Sequence, residues 1–169
     1  MFGKIDHVYG AVGVRARRLL LKAKNNPDIS FLNSNLGVGG ACNVEGIANY
    51  GIKSILDLRE ESMDNPEQIK KFGINYLRIK ISDREIPSIQ DTMMAVEWIK
   101  SKLSDNDKVF IHCTLGRGRG PLLAVLYLIY QGTEKIEAIK NVKNIRRYAY
   151  LNSKQLEFIT EFKNYLSER

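Results

Sequence analysis

A cysteine in a glycine-bearing loop, closed six residues later by an arginine, carries the strongest chemical signal in the chain: Val109-Phe110-Ile111-His112-Cys113-Thr114-Leu115-Gly116-Arg117-Gly118-Arg119. The run begins as an apolar strand, and Pro121 to Tyr130 after it is an apolar helical stretch. The loop is therefore expected at a helix N-terminus, where backbone N–H groups lack partners and the dipole is positive. A phosphate dianion is the natural occupant of such a place. Only a thiolate attacks, so Cys113 needs surroundings that favour negative charge. Loop amides, the helix end and the Arg119 guanidinium supply them. The same loop, Thr114, Leu115, Gly116, Arg117 and Gly118, is expected to hold phosphoryl oxygens, with Arg119 binding two in its planar fork. Gly116 and Gly118 suit backbone conformations that a Cβ penalises.

Phosphoryl transfer to sulfur also needs a proton for the departing oxygen and then a base for water. Asp83, in Ile81-Ser82-Asp83-Arg84-Glu85-Ile86-Pro87-Ser88, lies between an expected strand and an expected helix and can serve both steps. Glu85 competes in the same loop, and either acid reads equally as a turn or capping group. His112 reads two ways, as a brace for the loop and thiolate or as a satisfied core histidine. Asp57, in Leu56-Asp57-Leu58-Arg59-Glu60, reads as structural.

The elements needed to position these groups are visible in the pattern. Residues 51–58 read as a strand, 66–72 as a helix stopped at Gly73, and 74–81, alternating with period two, as the next strand. Residues 88–103 carry apolar side chains at helical spacing, with Met93, Met94 and Trp98 expected in the core. Residues 133–142 and 153–166 read as closing helices. Upstream, residues 31–40 read as a strand pair or a strand and turn, with Asn33-Ser34-Asn35 as the turn element and the glycines ending it, and Gly37-Val38-Gly39-Gly40 is taken as a backbone turn because the dinucleotide fingerprint is incomplete. Cys42 reads as a small buried hydrophobe in front of a short helix at 43–50. Strands alternating with helices and then a run of helices predict an α/β domain, its central sheet mostly parallel and flanked by helices. One domain over residues 1–169 is expected, with a basic arm or helix at about 9–26 carrying Arg15, Arg17, Arg18, Lys22 and Lys24.

Composition bounds the setting. In 169 residues, 44% are hydrophobic and 27% charged, ordinary values for a globular chain with a substantial core. The longest apolar stretch, Leu122 to Tyr130, falls far short of the roughly 20 residues of a membrane span. Two cysteines make a disulfide framework a poor reading, which favours a reducing, cytoplasmic setting. A formal net charge of +7 attracts anions of any kind. No nucleic-acid signature accompanies it, so sequence-specific nucleic acid is not an expected partner. The basic arm reads as a covering helix with a solvated basic face, or as an element in peripheral contact with an acidic membrane. The oligomeric state is not legible.

At these residues the chain resembles the cysteine-dependent protein tyrosine phosphatase superfamily, in its dual-specificity branch. The signature His-Cys-x-x-Gly-x-x-Arg is matched by His112, Cys113, Gly116 and Arg119, and the branch's general acid by Asp83. Closer likeness is to the mitochondrial-type phosphatases related to phosphatidylglycerophosphate phosphatase. It rests on Arg117 inside the loop, on Asp83 to Pro87, and on the tail Leu151 to Phe158, where Gln155 matches a loop-facing polar residue. The resemblance implies a phosphocysteine intermediate with no metal and no cofactor. The substrate it implies is a phosphorylated protein, at tyrosine and also at serine or threonine. Alternatives are a phosphorylated lipid or inositol headgroup, or a phosphate-binding module with little turnover. One departure stands out. The family places Ser or Thr after the loop arginine, where its hydroxyl helps the thiolate leave in the second step. Here Gly120 follows, and Thr114 is the loop hydroxyl that could replace it.

Overall fold

In the computed structural model the described residues are 26–169, together with 12, 13, 15, 16, 19 and 20. Those six are helical; apart from them and residue 26, the arm expected at 9–26 lies outside the described residues. Five strands form one sheet: β1 (Ile29–Phe31), β2 (Leu36–Gly40), β3 (Ile52–Arg59), β4 (Asn75–Ile81) and β5 (Lys108–Cys113). Their order is β1-β2-β5-β3-β4. Only the β1/β2 pair is antiparallel; β2/β5, β5/β3 and β3/β4 are parallel. The helices are α1 (Val44–Asn49), α2 (Pro66–Lys71), α3 (Ile89–Ser104), α4 (Arg119–Tyr130), α5 (Lys135–Ile145) and α6 (Ser153–Ser167). This is the mostly parallel α/β arrangement expected from the pattern.

Local chemistry sets the boundaries that matter. Asn65 caps α2, with Pro66 at its first turn, where a missing N–H costs nothing. Ser88 accepts from the Asp91 N–H at the head of α3. Asn152 and Gln155 form a reciprocal capping box on α6. The head of α4 is different: Gly118 gives it no side-chain cap. A capless N-terminus keeps its donors for another acceptor.

The sheet buries both faces. Val44, Ile47, Ile52, Ile55, Ile74 and Phe110 pack on the side of α1 and α2. The larger core joins Leu36, Val38, Leu56, Leu58, Val109 and Ile111 to α3, α4, α5 and α6. Almost all of α4 is buried, so it runs through the interior and anchors the Cys113 loop at its N-terminal end. Truncating Leu122 or Leu123 to alanine there would cost about 2–5 kcal/mol.

Three expectations are corrected. Gly37 to Gly40 is strand rather than turn, fully buried beside β5. Its glycines answer a packing demand: a Cβ on Gly39 would lie 1.9 Å from the Asp28 carbonyl oxygen. Met94 is 48% exposed, outside the core in which it was expected, because it points away from the sheet. Cys42 is only half-buried, its Sγ–H donating to the Gly40 carbonyl at 3.2 Å.

Candidate active site

Cys113 ends β5 and is 3% exposed at the floor of a cavity of about 830 Å³. Thr114, Leu115, Arg117, Gly118 and Arg119 line that cavity with it, joined by Asp83, Glu85 and Gln155. Gly116 has φ +64°, and a Cβ there would sit 2.4 Å from the Gly39 carbonyl carbon. Only glycine fits both the left-handed conformation and the close approach. Arg119 is 2% exposed and feels the Cys113 charge directly. Burial pulls its guanidinium toward deprotonation, but Glu61, Cys113 and Asp83 outweigh that and hold it more firmly charged than usual. Its Nε is buried without a partner. A buried donor left unpaired costs free energy unless something fills it, and an anion above Cys113 would.

Glu61, which sequence reasoning missed, meets the opposite edge of that guanidinium. Its carboxylate accepts from Nη1 and Nη2 at 2.7 Å each and also from the Thr114 hydroxyl. These bonds, that from Arg119 foremost, hold the Glu61 carboxyl far below the usual carboxylate range. Arg119 also donates from Nη1 to the Ile81 carbonyl at 2.8 Å. The fork is thus held end-on, with the Nε edge left toward the loop. The acidic pair Glu60-Glu61 after a strand was the only sequence trace of this arrangement. The Thr114 hydroxyl gives its proton to Glu61, which removes it as the substitute for a Ser or Thr at position 120.

His112 is fully buried behind the loop, and its Nε2 lies 2.9 Å from Asp64 Oδ2. Asp64 and Asp57 both bind Arg59, at 2.6 and 2.8 Å, and the Tyr76 hydroxyl donates to Asp57 at 2.6 Å. Burial alone would raise the Asp57 carboxyl; the bonds from Arg59 and Tyr76 and the nearness of His112 bring it below the usual range. Ligand atoms of Asp57, Asp64 and His112 lie within 4.8 Å of one another, a spacing a cation could use. Arg59 already stands among them as the cation, so the group reads as a brace behind Cys113.

Asp83 sits on the opposite wall, its side chain 77% exposed and Oδ1 3.7 Å from Arg119 Nη2. Arg84 beside it adopts φ +66°. Glu85, the competing acid, is paired with Lys154. Gln155 is buried, its oxygen capping α6 and its amide donating to the Glu85 carbonyl at 3.3 Å, next to Gly118. Arg117 donates from Nε to the Tyr148 carbonyl at 3.1 Å and lies over the Tyr150 ring. Burial and repulsion from Arg84 pull Arg117 below the usual guanidinium range. The fold therefore brings all ten sequence-nominated residues around one loop and the cavity over it.

A thiol under an anion cup, a buried arginine and an acid across the cavity define a cysteine-dependent phosphatase. The model of the "Dual specificity phosphatase, catalytic domain" matches residues 36–165, and the chain belongs to that family. It is 29% identical over 122 residues to protein tyrosine phosphatase type IVA 3 of Bos taurus, covering 71% of this chain and 69% of that one. It is 23% identical over 130 residues to phosphatidylglycerophosphatase and protein-tyrosine phosphatase 1 of Homo sapiens, covering 73% and 65%. The chain thus spans about two thirds of either relative. A solved structure of PTPMT1 in complex with PI(5)P superposes with a TM-score of 0.76 at 20% identity, over 83% of this chain and 97% of the other.

Proposed function

We propose that this chain hydrolyses phosphomonoesters through a phosphocysteine, with phosphotyrosine in proteins as its first substrate class and phosphoserine and phosphothreonine behind it. The carrying observation is Cys113 at the cavity floor with the unpartnered Nε of Arg119 beside it and Asp83 across from both. Cys113 Sγ attacks phosphorus; the S–P bond forms as the P–O ester bond breaks, and Asp83 gives its proton to the leaving oxygen. Water then attacks the phosphocysteine, passes a proton to Asp83, and the S–P bond breaks to return the thiolate. Loop amides and Arg119 hold the three non-bridging oxygens through both steps. A thiol only 3% exposed suits an aryl phosphate, which reaches farther from its backbone than phosphoserine, and the Tyr150 ring on the cavity wall offers it an apolar flank.

A second reading, a phosphorylated lipid or inositol headgroup, has its own observation. Arg117 is nine-tenths buried at the cavity, faces the repulsion of Arg84, and has a carbonyl and a ring rather than a carboxylate as its partners. Arg15, from the basic arm, lines the same cavity. A polyanionic headgroup would neutralise these charges, and the arm would then meet an acidic membrane surface peripherally. The relatives' names carry both substrate classes. Both readings are placed in a reducing intracellular compartment, where a nucleophilic thiol is kept reduced. Phosphate release from phosphotyrosine, phosphoserine and phosphothreonine peptides is to be compared with release from phosphoinositides and phosphatidylglycerophosphate in vesicles. The first reading expects the phosphotyrosine peptide to give the highest kcat/KM; turnover confined to the lipids would replace it with the second.

A further inference from the structure

Four successive peptide planes of the Cys113 loop are held from outside the cup, and one buried side chain holds two of them. In a trans peptide the C=O of one residue and the N–H of the next point in opposite directions, and all peptide bonds here are trans. Whatever binds a loop carbonyl on its outer side therefore aims the following N–H inward. The Thr114 carbonyl accepts from the Ala41 N–H at 3.2 Å, which sets the Leu115 amide. The Arg117 carbonyl accepts from the Tyr150 N–H at 2.8 Å, which sets the Gly118 amide. The two planes between them belong to Arg146. Its Nε donates to the Gly116 carbonyl at 2.8 Å and its Nη2 to the Leu115 carbonyl at 3.3 Å.

Arg146 is far from the loop in sequence and carries no motif, but its surroundings are fully specified. It is 2% exposed, and Asp28, 4% exposed, grips its other edge at 2.9 and 2.7 Å. Ser30 Oγ takes the last donor at 3.4 Å, so all five N–H groups have acceptors. A buried ion pair is a costly way to stabilise a fold, and apolar residues of the same volume do as well or better. What apolar residues cannot do is bind two carbonyls.

We propose that Arg146, oriented by Asp28, is a positioning residue that presets the Gly116 and Arg117 amides toward phosphate before any anion arrives. The inference rests on the loop being the phosphate cup of the proposed phosphatase. Its function is to spare the substrate the reorganisation of a flexible loop, which would otherwise be taken from binding. Gly116 belongs to the same device: a Cβ there would lie 2.2 Å from Arg146 Nη2.

The test uses the full chain with three changes: Arg146→Lys, Asp28→Asn, and the apolar exchange Asp28→Leu with Arg146→Met. Inorganic phosphate binding is measured by calorimetry in a Cys113→Ser background, which needs no turnover, and alkylation of Cys113 by iodoacetamide is followed against pH in the parent background. The apolar exchange is expected to keep a cooperative melt, to weaken phosphate binding about tenfold, the usual scale for groups that orient ligand-bearing residues, and to move the alkylation profile to higher pH. Arg146→Lys, which keeps the charge and one donor, is expected to fall between. A folded exchange variant with unchanged phosphate affinity and alkylation profile overturns the proposal. So does loss of the fold in all three, since the pair would then serve the fold as a whole. Failure of the phosphatase reading itself shows separately, as turnover that survives Cys113→Ser.

Discussion

Two loops face each other across the cavity and are built on opposite principles. The loop from Cys113 to Arg119 is buried, its carbonyls claimed by Ala41, Arg146 and Tyr150 and its arginine gripped by Glu61. The loop from Ser82 to Ser88 is exposed and hangs from the first turn of α6: Asn152 donates to the Arg84 carbonyl at 2.9 Å, Gln155 to the Glu85 carbonyl, and Lys154 pairs with Glu85. The Asn152 and Lys154 tethers are open to water, and such bonds hold a segment more weakly than buried ones do. The difference matches the tasks. Stabilising charge on phosphorus demands donors fixed in advance, whereas delivering and then retrieving a proton tolerates, and uses, an approach and a retreat.

The largest effects should come from the rigid side. Cys113→Ser is expected to lower phosphate release from an aryl phosphate on the order of 10⁴-fold or more, with the melting temperature unchanged within a few degrees. Turnover that persisted in this variant would end the comparison, because the buried loop would not be the reactive one. Arg119→Lys tests the fork: one ammonium cannot span two oxygens as the guanidinium does. Loss of roughly 10²–10³-fold in kcat is the scale for removing such a donor, and an effect confined to KM would contradict a role in the transition state.

The exposed side is broken by Asp83→Asn. Losing a general acid costs roughly 10²–10⁴-fold, and the cost must depend on the leaving group. It should be large for an alkyl phosphate and shrink toward unity for a nitrophenyl phosphate, whose oxyanion needs no proton. If Glu85→Gln reproduced this pattern and Asp83→Asn did not, the acid would have to be reassigned. Gln155→Ala, which cuts a tether of the acid loop and half of a capping box, is expected to lower kcat about tenfold and stability by about 1 kcal/mol. An undiminished kcat would mean that Asn152 and Lys154 hold the loop alone.

The rigid loop was legible in the chain because its chemistry is local: strand, His-Cys, glycines and arginine lie within eleven residues. Asp83 was legible by its place between a strand and a helix. What could not be read were groups whose partners are distant in sequence. Asp28 and Arg146 are 118 residues apart, Glu61 and Arg119 are 58 apart, and neither pair leaves a periodic or motif trace. The glycine run at 37–40 misled for the same reason. Its glycines look like a turn until β2 is seen to lie against the Asp28 backbone and, at Gly39, against the Cys113 loop.

The smallest expected effect concerns where the rigid loop is underequipped. Gly120 puts no hydroxyl behind Cys113, and the Thr114 hydroxyl is turned to Glu61. Space is available: a Cβ at position 120 would meet Val38 Cγ1 at 3.5 Å and the Gly39 and Ile111 carbonyl oxygens at 3.7 and 3.8 Å, ordinary contacts. Gly120→Ser should therefore fold at least as well as the parent, since glycine costs a helix about 1 kcal/mol. If breakdown of the phosphocysteine limits the parent, its time course shows a burst of leaving group followed by a slower steady state. The variant then loses the burst and gains up to about tenfold in kcat, or 1.4 kcal/mol of barrier. A parent without a burst, and a variant with the same kcat, would instead place the slow step at or before formation of the intermediate, where phosphoryl transfer to Cys113 and protonation of the leaving oxygen by Asp83 take place.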